Sequence, residues 1–375
     1  MTSHTSSAAP TRYAMPPSVA DIAVKLGVSV AQVCKLDANE SPYGPPPGVA
    51  NALQRLLAQD AAALSPGRYP DASATDLRMA LARYTGVRSE QIVVGNGSDE
   101  LVGLLVDMLS PGDEVVVCEP TFGLYAVAAG WRGARVIDVG LEDDFTVPRD
   151  RLLAAITSTT KLVFLCSPNN PTGTPLARET LLAVLERAEA LTSAQGGPLV
   201  VVDEAYYEVN ALGGGEAWTA APLVAVGHRL VVLRTFSKVF GLAGMRVGYG
   251  LCSPDVAARL REHKQPYNVN IAGLLAARAA LDDFDWLRER AALLVSERER
   301  LAHELAALDG LCIYPSATNF LLIDFGASAL REAVWQALID RGILVRRPGG
   351  ERLAGCLRIT VGKPEENDRL LVALR

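Results

Sequence analysis

Between Gln91 and about residue 265 the chain alternates short, β-branched apolar runs with stretches of helical period. The runs are QIVV from 91, EVVVCE from 114, ARVIDV from 134, KLVFLC from 161, LVVVDE from 199, LVVLRT from 230 and MRVGYGL from 245. Several are apolar at successive positions rather than at alternate ones. Strands with that pattern are covered by helices on both faces, so the runs predict a mostly parallel sheet in an α/β fold. In open sheets of this kind ligands lie beyond the carboxyl ends of the strands, where polar punctuation follows these runs.

The flanks read differently. Ser18 to Leu26 predicts a short helix with Ser18 as N-cap and Asp21 three residues later. The proline-rich string LDANESPYGPPPG, Leu36 to Gly48, must be irregular. Helices are expected from Val49 to Leu64 and from Ala74 to about Tyr84, and one long helical stretch from about Ile271 to Leu308. Beyond it come strands LCIYP from 311, NFLLIDF from 319, GILVRR from 342 and CLRITVG from 356. We therefore expect residues 49–270 to form a large domain carrying the strand-end motifs, 271–375 a smaller α/β domain, and 1–48 an N-terminal segment that joins the small one.

Composition narrows the class. With 49% hydrophobic and 21% charged residues over 375 positions, the chain can bury a large core. A net charge of −6 offers no basic field for nucleic acid or an anionic membrane, and no apolar run is long enough to span a bilayer. Cys34, Cys118, Cys166, Cys252, Cys312 and Cys356 are scattered singly without a C-x-x-C pair. They read as buried free thiols of a reducing compartment, and no zinc or other metal site is expected. The start, MTSHTSSAAPTR, lacks the apolar run of a signal peptide, so a soluble cytoplasmic protein is expected.

Four strand-end motifs carry the chemistry. GNGSDE, Gly95 to Glu100, is a turn into a helix near Ser98 whose free N–H groups and positive end suit a phosphate, although short glycine turns are common. CSPNNPTG, Cys166 to Gly173, places Asn169 and Asn170 at a strand exit, where an amide can donate to a ligand oxygen; Asn-Pro turns are also frequent. In LVVVDEAYYE, Asp203 ends a buried run and needs a cationic partner or strong hydrogen bonds, with Tyr206 close by. In RTFSKVFGLAGMRVGYG, Lys238 stands among Thr235, Ser237 and Arg246, a plausible phosphate pocket around an amine that alone would read as a surface charge. One chemistry uses all four at once: an amine for an aldehyde cofactor, a carboxylate for a pyridine nitrogen, donors to a ring oxygen and a cradle for a phosphate. Together they describe pyridoxal 5′-phosphate, PLP.

From about Val33 to the C-terminus the chain resembles the fold-type I, aspartate-aminotransferase-like PLP enzymes, and within them the histidinol-phosphate aminotransferases. The matching strings are LDANESPYG, RYPD, GNGSDE, PTFGLY, CSPNNPTG, DEAY, RTFSKVFGLAGMRVGYG, KQPYNVN, TNFLL and CLRITVG. The resemblance implies that Lys238 bonds the cofactor aldehyde and later moves the substrate proton, and that Asp203 pairs with the ring nitrogen. Opposite charges about 4 Å apart at an effective dielectric near 20 attract by roughly 4 kcal/mol, enough to keep that nitrogen protonated. It further implies that Asn170 and Tyr206 bind the ring oxygen, that Phe122 stacks on the ring, and that Ser98, Asp99, Thr235, Ser237, Arg246 and, from the other subunit of a homodimer, Tyr69 hold the phosphate.

Arg346 and Arg358, with Tyr43 and Asn319, are the candidate substrate contacts, guanidinium forks suiting carboxylate and phosphate alike. The implied reaction interconverts histidinol phosphate plus 2-oxoglutarate with imidazole-acetol phosphate plus glutamate, in histidine biosynthesis. Aromatic amino-acid aminotransferases and threonine-phosphate decarboxylases share the fold and are the alternatives. Two positions depart from the family's pattern: Phe122 stands where many members have tyrosine, and the N-terminal Pro-Tyr pair has only Tyr13, beside Arg12, as counterpart.

Overall fold

The computed structural model describes residues 17–58, 65–193 and 196–375. Arg12 and Tyr13, and the stretch 59–64 at the end of the helix expected from Val49, lie outside the described residues. The strands are β1 (Cys34–Leu36), β2 (Ile92–Gly95), β3 (Glu114–Val117), β4 (Arg135–Asp138), β5 (Thr160–Cys166), β6 (Leu199–Asp203), β7 (Leu230–Thr235), β8 (Gly248–Cys252), β9 (Cys312–Ile313), β10 (Phe320–Asp324), β11 (Ile343–Val345) and β12 (Cys356–Thr360).

Seven of them form one sheet in the order β2-β8-β7-β6-β5-β3-β4. Pairing is parallel from β7 through β6, β5 and β3 to β4, and antiparallel on both sides of β8. Consecutive apolar residues are needed because each face has its own core. Along β6, Val200 and Val202 join the cluster on one face while Val201 joins the cluster on the other, as the two-residue repeat of a strand dictates. A third core lies under the antiparallel sheet β12-β10-β9, and β1 pairs in parallel with β11, tying the N-terminal segment to the C-terminal strands.

Three local expectations need correction. The helical stretch after Ile271 is two helices, Ile271–Ala280 and Phe284–Ala306, because Asp283 caps the second by accepting from the Trp286 N–H. The helix expected from Val49 starts earlier, at Pro47, since proline is well suited to a first turn. All six cysteines are free, but Cys166 is half-buried and Cys312 is exposed rather than buried, in a two-residue edge strand that covers little. Among the described residues no helix is long and apolar enough to cross a membrane.

Candidate active site

The parallel register places the ends of β5, β6 and β7 side by side, with Cys166 opposite Asp203 and Asp203 opposite Leu233. The chain leaves each strand through a motif singled out above, so the motifs converge on one cavity of about 400 Å3. Lys238, Asp203, Asn170, Tyr206, Phe122, Thr235, Ser237, Ser98, Asp99 and Arg246 all line it, as do Arg346 and Arg358 from the small sheet.

Asp203 is buried at the cavity wall. Its carboxylate accepts from the Tyr125 hydroxyl at 2.7 Å and from the Ala205 N–H at 3.0 Å, and among the described residues no cation forms an ion pair with it. Burial pushes its pKa from 3.8 up to about 6, against the pull of the Tyr125 and Ala205 hydrogen bonds. A carboxyl raised in this way holds its proton in the folded chain and releases it in the unfolded one between those two values. Its contribution to the stability of the cofactor-free protein therefore falls as pH rises from about 4 to 6. Asp203→Asn, with cofactor absent, is expected to gain over the parent through that window by up to about 3 kcal/mol, read as a difference in urea midpoints at pH 4 and pH 7.

Lys238 is half-buried, and its Nζ donates to the Ala38 carbonyl at 3.4 Å. Burial, then the nearby Arg358 charge, lowers its pKa from 10.5 to about 8, against the pull of Asp99, Glu40 and Asp203. Such an amine is neutral often enough near neutral pH to act as nucleophile or base. Tyr206 and Asn170 flank it. The Tyr206 hydroxyl accepts from Asn39 Nδ2 at 2.9 Å, which leaves its own proton for the cavity. Asn170 Oδ1 accepts from Arg358 at 2.7 Å, so the amide's N–H groups remain the donating end.

An oxyanion cradle lies at the other end. The helix Ser98–Asp107 points its first turn at the cavity, beside the Thr235 and Ser237 hydroxyls, which are bonded to each other at 2.9 Å. Arg246 closes the cradle and pairs with the Asp99 carboxylate at 3.1 Å, so what Asp99 itself can offer an anion is its backbone N–H. Only glycine fits at position 97: its φ is +81°, and a Cβ there would stand 2.6 Å from the Arg246 guanidinium.

Tyr43 and Asn319 lie outside the cavity, as does Tyr69, which is expected to act in the other subunit's site. Tyr69 is 80% exposed and stacks on Tyr267 at 4.5 Å between ring centroids. Tyr43 lies with its ring near Arg290 instead. Asn319 is buried behind the cavity wall, donating to the Asn39 carbonyl at 3.0 Å, because the turn into β10 packs under the first loop. Conversely, the site depends on groups, in its wall and behind it, that the sequence motifs do not single out. Tyr125 reads as an ordinary core aromatic, stacked on Phe164 at 4.7 Å, and only its hydroxyl's position reveals the link to Asp203. Asn39 gave no signal beyond its place in LDANE, yet it joins Tyr206 to Thr360 of β12.

A family model, aminotransferase class I and II, matches residues 31–374. The chain belongs to that family. This aminotransferase is 45% identical over 365 residues to the histidinol-phosphate aminotransferase of Roseiflexus castenholzii, covering 94% of this chain and 92% of that one. It is 39% identical over 356 residues to the chloroplastic histidinol-phosphate aminotransferase 1 of Arabidopsis thaliana, covering 94% and 80%. Among solved structures it is similar to the histidinol-phosphate aminotransferase of Sinorhizobium meliloti in complex with pyridoxal-5′-phosphate, with a TM-score of 0.83 at 31% identity over 98% of this chain and 96% of that one.

PLP fits the aminotransferase cavity on its donor set. A buried carboxylate that forms no ion pair among the described residues, an amine of lowered pKa and a glycine-dependent oxyanion cradle match the ring nitrogen, aldehyde and phosphate of that cofactor.

Proposed function

We propose that this aminotransferase holds PLP in the cavity around Lys238 and interconverts histidinol phosphate plus 2-oxoglutarate with imidazole-acetol phosphate plus glutamate. When bound, PLP supplies an aldehyde that takes up the amino group and a ring that withdraws electrons from the substrate carbon. Asp203 holds the proton on the ring nitrogen, Asn170 and Tyr206 donate to the ring oxygen, and Phe122 covers one ring face. Ser98, the Asp99 N–H, Thr235, Ser237 and Arg246 bind the phosphate. With PLP bound, the Lys238 amine would carry the proton to and from the substrate carbon, which its pKa near 8 suits.

The observation that carries the substrate reading is the pair Arg346 and Arg358. Their backbones exchange hydrogen bonds at 3.0 and 2.9 Å across one antiparallel bridge, and both side chains line the cavity that holds Lys238. Two guanidiniums in one place suit a doubly charged phosphate, while a carboxylate of glutamate can use the same seat in the other half-reaction. The names of the relatives support this choice over an aromatic amino acid or a decarboxylation substrate. Exposed Tyr69 supports a homodimer in which it reaches the second site, and six unpaired thiols support a reducing cytoplasm as the working compartment.

Mixing PLP-loaded protein separately with histidinol phosphate, glutamate and phenylalanine, while following the cofactor's absorbance, tests the reading. Rapid change with the first two and slow change with phenylalanine is expected; a fastest response to phenylalanine, or release of carbon dioxide, would sink it.

A further inference from the structure

A second cavity, of about 270 Å3, lies at the open edge of the large sheet, away from Lys238. Its walls are β2, the helix Thr75–Thr85, the end of the helix Pro254–His263 and the segment 264–269 that follows. Three cations face into it: Arg78, Arg261 and Lys264, all half-buried. None of the three forms an ion pair with a carboxylate among the described residues. Arg78 donates to the Ser73 and Ser89 carbonyls, Arg261 to the Glu90 carbonyl, and Lys264 to the Ala72 carbonyl and the Asn268 amide oxygen. The one acidic side chain in the lining, Asp71, is already used, accepting from the Ser73 and Thr75 N–H groups. Glu100, behind the wall, accepts from Asn96 and Asn268.

Backbone carbonyls orient these cations without neutralising them. Burial and then Arg261 lower the pKa of Arg78; burial lowers that of Lys264, with Arg78 and Arg261 adding to it against Glu100 and Asp71. Like charges gathered around a concave, partly desolvated space focus a positive potential that a small anion can relieve. Two planar forks and a compact ammonium match several oxygens at once. Three cations against one carboxylate leave a charge of two in the lining, which calls for a dianion.

We propose that this cavity binds a phosphate or phosphomonoester dianion, separately from the site around Lys238. The cavity has room for a small organic group beside the phosphate, and the Tyr267 ring, stacked on Tyr69, lies at its wall.

Calorimetric titration of the PLP-loaded protein with inorganic phosphate, at an ionic strength held constant with chloride, is the test. In Arg346→Gln, where the substrate seat is impaired, one saturable site is expected to remain, and it weakens about tenfold or more when Lys264→Gln or Arg261→Gln is added. Both of those variants are expected to melt no lower than the parent in phosphate-free buffer, because each removes a repelling charge; a purely structural role would lower both. Three results would overturn the proposal: no saturable binding, binding unchanged by Lys264→Gln and Arg261→Gln, or binding seen only before PLP is loaded.

Discussion

Lys238→Ala, purified with PLP present, is expected to lose turnover with histidinol phosphate and glutamate by a factor of roughly 10⁴ or more. The substitution removes both functions assigned to that side chain, the covalent anchor of the cofactor and the carrier of the substrate proton. The phosphate cradle does not depend on it: Ser98, Thr235, Ser237 and Arg246 are held by the helix start, by each other and by Asp99. The variant should therefore still take up PLP, with the absorbance of an aldehyde not bonded to the protein. Steady-state rates and the absorption spectrum check the two halves separately. Retention of more than about a tenth of the parent rate would remove Lys238 from the mechanism. Loss of PLP uptake as well would place more of the cofactor's binding on the amine than the cradle allows.

Arg234→Met is expected to cost about 3–5 kcal/mol of stability. Arg234, only 2% exposed in β7, pairs with Glu204 at 2.9 Å and with Glu208 at 3.5 Å, donates to Thr219 at 2.6 Å and lies over the Tyr207 ring. Both glutamates are buried, so removing the guanidinium strands two carboxylates in a dry environment. Burial already raises the Glu208 pKa from 4.5 to about 7 even with Arg234 beside it. That carboxyl keeps its proton in the folded chain and loses it in the unfolded one across pH 4.5 to 7, so its contribution to stability falls as pH rises through that window. Without Arg234 the window extends upward. The deficit should thus be smaller at pH 5 than at pH 8, read from urea midpoints of parent and variant at both values. Glu204 directly follows Asp203, and Arg234 directly precedes Thr235, so weaker PLP retention should accompany the loss.

The two substitutions mark the boundary of what could be read along the chain. Lys238, Asp203, Asn170 and the glycine turn before Ser98 were legible because each follows an apolar strand, and ligand sites of α/β sheets gather at such ends. Arg234 and Glu204 were not. Each sits within or beside a strand run, and nothing local says that the guanidinium on β7 meets the carboxylate after β6. Tyr125 was hidden for the same reason: its ring satisfies the core pattern, and its hydroxyl finds Asp203 only once the helix Leu124–Trp131 packs on the sheet. For Tyr43 and Asn319 the motif does not say which way the side chain turns. Their motifs belong to the site's surroundings, but the fold turns Tyr43 toward Arg290 and puts Asn319 behind Asn39.

The sequence by itself determined the α/β class, nearly every strand, the family and the strand-end side chains that line the cavity, because apolar period and strand-end punctuation are local properties of the chain. Tertiary structure alone decided which groups became partners. It set the antiparallel sense of β8, the break at Asp283, the Tyr125 hydrogen bond that offsets the burial of Asp203, the Arg358 charge that lowers Lys238, and the three cations at the β2 edge that form no ion pair among the described residues. Charge and hydrogen-bond energies depend on distances between residues far apart in the chain and on the water that packing removes. Neither quantity exists until the strands are side by side.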